Sequence, residues 1–156
     1  MLRKLGPWLM FVAALFVMSL GIALVTRGNL GTTPISSLPL VSSYASSLTF
    51  GETTFLINLL FVAAQWVLLR RSINKVLLLA QIPITLAFSY FIDTSMKFTE
   101  FLSSDVYWKC LAVSMLGNMV LGLGVALEVF SGAAALPGEG LVLAVSTVLH
   151  LSLIHI

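Results

Sequence analysis

Charge is what this chain has least of. Only 9% of its 156 residues are Asp, Glu, Lys or Arg and 59% are hydrophobic, whereas a soluble domain carries about a quarter charged residues. So little polar surface cannot cover a water-soluble domain. A single cysteine, Cys110, excludes an intrachain disulfide framework. At the head of an apolar run it reads as a small packed residue rather than a reactive thiol. The two histidines, His150 and His155, stand near the end and form no His-Glu-x-x-His and no serine–histidine pairing with an orienting acid. No paired aspartates stand inside an apolar run. We therefore expect no enzyme, no cofactor and no metal site. The formal net charge of +2 is too small and too scattered for a nucleic-acid partner.

Long apolar runs are what the chain has instead. Four of them, residues 7–25, 53–69, 76–92 and 109–127, are long enough to span a bilayer as helices. The fold class is accordingly all-α: a polytopic transmembrane helix bundle in one membrane domain, residues 1–150, with the lipid bilayer as its first partner. Met1-Leu2-Arg3-Lys4 before the first run has the charged front of a signal peptide. The run is too long for a signal core, however, and no Ala-x-Ala-like site closes it, so we read a retained helix. Two further stretches, residues 34–48 and 137–150, are predicted as short re-entrant or interfacial helices. The first contains Pro39 and is rich in serine.

Charge sets the orientation. Arg3 and Lys4 precede the first span, and Arg70, Arg71 and Lys75 lie between the second and third. The loop predicted from Asp93 to Asp105 is acidic. If residues 34–48 do not cross, both basic clusters fall on one side, which the positive-inside rule makes cytoplasmic. The N-terminus is then cytoplasmic.

One phrase occurs twice. Residues 21–43 laid without a gap on residues 124–146 coincide at Gly21/Gly124, Ala23/Ala126, Leu24/Leu127, Pro34/Pro137, Leu38/Leu141, Leu40/Leu143 and Ser43/Ser146. Composition alone would give roughly two such matches. The Gly and Pro matches weigh most, because those residues constrain the backbone. An odd number of crossings separates the copies, so the repeat is predicted to be inverted, with one polar break on each side of the membrane. Paired Gly/Pro-interrupted apolar segments point to a transporter-type core.

Candidate chemistry sits at these breaks. In Gly28-Asn29-Leu30-Gly31-Thr32-Thr33-Pro34, Thr33 suits a helix cap and Pro34 the first helical position. A helix starting there offers free N–H groups and a positive dipole end to an anion or ligand oxygen; an ordinary interfacial helix after a glycine turn fits the same residues. In Leu136-Pro137-Gly138-Glu139-Gly140, Glu139 is either a cation or proton ligand or an acid favoured by the helix dipole. The candidate substrate-binding residues are Gly31, Thr32, Thr33, Pro34, Pro137, Gly138, Glu139 and Gly140. Glu128, at the end of the fourth span, is expected at the interface. Within the spans, Gln81, Thr85 and Ser89 share one helix face, and Asn58 and Gln65 share another. Ser114, Asn118, Gly122 and Ala126 form a polar-to-small stripe, read as helix packing.

The residues Gly21-Ile22-Ala23-Leu24, Leu30 to Pro39, Phe50-Gly51, Gly124-Val125-Ala126-Leu127-Glu128 and Leu136 to Gly140 together resemble the YczE/YyaS/YitT family. So do Gln81-Ile82-Pro83 and Tyr90-Phe91-Ile92-Asp93. The resemblance implies a bacterial inner-membrane protein and supplies neither an activity nor catalytic residues. It also implies further transmembrane helices after the second short helix. The last residues, 151–156, are the frame translation of CTGTCTCTTATACACATC, a transposase end used in sequencing adapters. We read them as adapter read-through and expect native sequence to end near His150. The function expected is a small-solute or ion transporter; the alternative is a non-transporting accessory or scaffold protein.

Overall fold

The structure, a computed structural model, describes residues 2–69 and 75–149, with side chains for 6–69 and 78–149. The charges of Arg3, Lys4, Arg70, Arg71 and Lys75, His150 and the segment 151–156 lie outside the described residues and side chains. Among the described residues every regular element is helical. They are α1 (Leu2–Arg27), α2 (Pro34–Ala45), α3 (Phe50–Leu69), α4 (Lys75–Phe98), α5 (Tyr107–Ser131) and α6 (Pro137–Val148), with a 3-10 turn at Glu100–Leu102. Helices α1, α3 and α5 are long and apolar enough to cross a bilayer, consistent with a membrane protein.

Lipid tails are as apolar as leucine, so close packing and interhelical hydrogen bonds hold such helices together. The α1–α5 pair is the most extensive. It runs antiparallel, with Gly28 against Ser114, Val25 against Gly117, Gly21 against Leu121 and Met18 against Gly124. A methyl group built on Gly21 would stand 2.5 Å from the Leu121 backbone nitrogen, so the glycines are what lets the backbones approach. The seam on α5 follows Ser114, Gly117, Leu121, Gly124 and Glu128, the alternating three-and-four spacing of a helix contact line. Of the predicted stripe, Ser114 alone lies on this line. A strict four-residue step rotates off that line, and Asn118, Gly122 and Ala126 face outward.

Helix α4 covers another side of α1. Ser19 Oγ and Ser95 Oγ lie 3.1 Å apart in a buried hydrogen bond, and Phe16 meets Phe91 edge-on. Phe11, Leu15, Met18 and Ile22 of α1 pack with Phe50, Phe88 and Ile92 in the core. The expected span 76–92 falls inside α4, but the helix runs on to Phe98, so Asp93 is helical rather than in a loop. There its side chain serves as a long-range cap. Asp93 Oδ1 accepts the Gly51 N–H (2.8 Å) and Oδ2 accepts the Thr49 hydroxyl (2.7 Å), satisfying the start of α3.

Both long helices break in the same way. After α1 comes Asn29 at φ 51°, and after α5 comes Gly132 at φ 57°, each in the left-handed conformation that ends helices. The displacement that carries Gly21 onto Gly124 also carries Asn29 onto Gly132 and Pro34 onto Pro137. α2 and α6 each have 12 residues, which gives a length of about 18 Å, well short of the roughly 30 Å hydrocarbon core. α2 stops at Ala45 rather than 48 because Ser46 is already extended, and α6 stops at Val148. Both short helices lie on α3. The Thr53 hydroxyl donates to the Pro39 carbonyl (2.9 Å), and the Gln65 amide donates to the Pro137 carbonyl (3.0 Å).

Candidate functional site

The starts of α2 and α6 meet. Thr33 caps α2 by accepting the Ser36 N–H at 3.3 Å, and Pro34 occupies the first turn. Pro137 opens α6 likewise, after Leu136, which has no side-chain acceptor to offer. A methyl group on Gly138 would touch Ile35 at 3.6 Å, so the two first turns are in contact. Between them and the long helices lies a cavity of about 380 Å³. That is within the size range of small-molecule sites. A wider hollow of about 760 Å³ between α3 and α4 is an open apolar groove rather than an enclosed site.

The cavity wall repeats the pairing of the two sequence copies. Met18 and Leu121, Ile22 and Val125, Thr33 and Leu136, Ile35 and Gly138, and Ser36 and Glu139 all line it. Each pair is related by the displacement that carries Gly21 onto Gly124. α3 adds Thr54, Asn58 and Phe61, and α4 adds Phe88 and Ile92. Thr33, Pro34, Gly138 and Glu139 are thus brought together, as four of the eight candidate residues.

The other four do different work. Gly31 adopts φ 134°, a conformation other residues adopt only with strain, and has open space around it, so it is a turn element. Thr32 places a buried hydroxyl with no partner beside the turn. Pro137 is buried and presents its carbonyl to Gln65. Gly140 abuts the Gln65 and Gln81 amides, which hydrogen-bond each other at 3.3 Å; a methyl there would stand 2.6 Å from Gln65 Oε1.

The charge in the wall is one-sided. Glu139 is half-buried at the cavity, and burial raises its carboxyl above the ordinary 4.5. Its counterpart in the first copy, Ser36, is neutral. Glu128 was expected at the interface and is instead 2% exposed. The antiparallel register explains the difference: one turn beyond Met18/Gly124, Glu128 comes opposite the fully buried Ala14, near the middle of α1. α5 is staggered along α1, so its end lies alongside α1 rather than beyond it. Glu128 Oε1 accepts the Leu136 N–H at 3.3 Å, which ties the second break to α5.

Residues 5–156 match the model of a family described as a family of unknown function, DUF6198. The chain belongs to that family. No curated protein and no solved structure matches this DUF6198 chain. The wall residues that sequence reasoning passed over, Thr54, Phe61, Phe88 and Ile92, read as ordinary span residues. Asn58 carried a signal, as a polar group inside an apolar run.

Proposed function

We propose that this chain is a non-enzymatic, multi-pass membrane carrier for a small solute or ion, with the cavity between the two short helices as its binding site. In this reading α1–α2 and α5–α6 form an inverted repeat, and α2 and α6 are re-entrant. A YczE/YyaS/YitT-like bacterial inner-membrane protein with a cytoplasmic N-terminus fits the same proposal. The observation that carries it is the cavity wall, built from pairs one repeat apart. A site on the axis between inverted halves can open to either side by the same motion of each half. Two helix N-termini supply N–H groups to a ligand, and Glu139 supplies charge.

The test is uptake by proteoliposomes containing the purified protein. Carriage of some solute or current, lost in Thr33→Ala and Glu139→Ala variants that still insert, supports the reading. No movement across a broad panel of solutes and ions counts against it.

The outer face of α5 favours a second reading. Asn118, Gly122 and Ala126 are exposed along an apolar helix, and Gly122 has open space around it. Small and polar residues on a span are what a partner helix packs against. An accessory or scaffold protein would tolerate the Thr33 and Glu139 changes and lose its partner when Gly122 is enlarged.

A further inference from the structure

Glu128 is the one carboxylate among the buried described residues. Its Oε1 has a single long hydrogen bond, from Leu136 N–H, and its Oε2 is enclosed with no partner. An ionised carboxylate has about four acceptor positions to fill, and a buried charge left unpaired is strongly destabilising. Nothing described nearby supplies a cation. On α1, the helix packed along the Glu128 seam, the only described charged side chain is Arg27, at the far end and donating to the Met96 carbonyl at 2.8 Å. α5 itself offers Lys109, in its opposite end turn. From α6 comes Glu139, in the first turn after Leu136, whose N–H Glu128 accepts and which lines the cavity with it. The Ser131 hydroxyl is committed to the backbone carbonyl of Glu128 at 2.6 Å. Two acids thus stand at the start of α6, one with an enclosed oxygen free and the other opening on the cavity.

We propose that Glu128 and Glu139 form one proton-binding site, with the proton on Glu128 Oε2 and Glu139 as its route to and from the cavity. A proton there removes the unpaired charge and turns the empty oxygen into a hydroxyl. In the transfer, the O–H bond at Glu128 Oε2 breaks as one forms on a water drawn from the cavity, and that water passes one of its own protons to a Glu139 carboxylate oxygen. The negative charge moves the opposite way, to Glu128, where the Leu136 N–H meets it, and no electrons are exchanged. The counterparts of the two acids in the first copy are Val25 and Ser36, so the proton site belongs to one half of the repeat. As the coupling ion of a carrier, this proton rests on the reading above; as a binding site it stands alone.

Infrared spectroscopy of the protein in lipid nanodiscs tests this. At neutral pH the protonated-carboxyl C=O band is expected in the wild type and in Glu139→Gln, and lost in Glu128→Gln. On transfer to D2O its isotope shift is expected to slow by about tenfold or more in Glu139→Gln, since the relay is gone. A band unchanged in Glu128→Gln, or exchange in Glu139→Gln as fast as in the wild type, overturns the proposal. So does a band that sodium chloride abolishes at constant pH, which makes the site one for a metal cation. If Glu128→Gln does not fold, the exchange rate in Glu139→Gln decides alone. Proteoliposomes that carry nothing while the infrared result holds would remove the carrier reading and keep the proton site. The reverse outcome would do the opposite.

Discussion

Replacing Gly124 with alanine puts a methyl group where α1 already stands. The new carbon would lie 2.5 Å from Met18 Cγ, 2.7 Å from Met18 N and 3.0 Å from Met18 Cα. The side-chain carbon can swing aside, but the backbone atoms cannot. Comfortable contacts of this kind start near 3.5 Å, so α1 and α5 must part by roughly 0.8 Å. Overpacking of this sort costs about 1–3 kcal/mol, and the better helix propensity of alanine returns up to about 1 kcal/mol. We expect Gly124→Ala to be destabilised by about 1–2 kcal/mol on balance. Gly122, on the same helix, supplies the control, because nothing lies within 4 Å of a methyl built there. Gly122→Ala should gain about 0.5–1 kcal/mol from propensity alone. Unfolding free energies measured in mixed micelles against a denaturing detergent would show the gap directly. Equal stability of the two variants would refute the close approach at Met18. The double change Gly21→Ala with Gly124→Ala should cost less than the sum, since both load one seam that the first change has already opened.

Other consequences can be checked with the same preparation. Glu139, raised by burial, is protonated over a wider range in the folded state than in the unfolded chain. Stability should therefore fall as pH rises from about 4.5, the ordinary glutamate value, and the Glu139→Gln profile should be shallower over that window. Gln65→Leu leaves the Pro137 carbonyl and the Gln81 amide short of a partner and should cost about 1–2 kcal/mol, with faster amide exchange in the first turn of α6. Asp93→Ala removes the acceptor for the Gly51 N–H and the Thr49 hydroxyl. It should cost about 1–2 kcal/mol, and a change of the same size at exposed Glu100 should be nearly silent.

The parts of the fold visible in the sequence are those encoded by neighbours along the chain. Pro34 and Pro137 mark the starts of the short helices because a residue without an N–H suits a first turn wherever it occurs. Thr33 is a legible cap for the same local reason. The burial of Glu128 is not legible, because it depends on how far α5 slides along α1, and no window of sequence contains that stagger. The place of Asp93 inside a helix is not legible, because its partners, Gly51 in the first turn of α3 and Thr49 just before it, are far away in sequence. The stripe through Asn118 and Gly122 and the seam on α1 share Ser114 and then diverge, because a four-residue step and a three-and-four step follow different lines along a helix. The cavity was half legible. Thr33, Pro34, Gly138 and Glu139 were identifiable at the breaks, whereas Phe61 and Phe88 enter only because α3 and α4 carry them there.

The contacts between α1 and α5 have a property of their own. Gly21 rests on Leu121 and Gly124 rests on Met18, which is one residue pairing used twice with the roles exchanged. Surfaces that answer each other in this way are self-complementary, as in an isologous contact. Each of the two helices therefore carries both a knob and a notch. A change at one contact strains one place, and the matching change at the other strains a second. Glu128 and Glu139 have no acidic counterparts at Val25 and Ser36, so a contact matched in shape stands beside an unmatched charge.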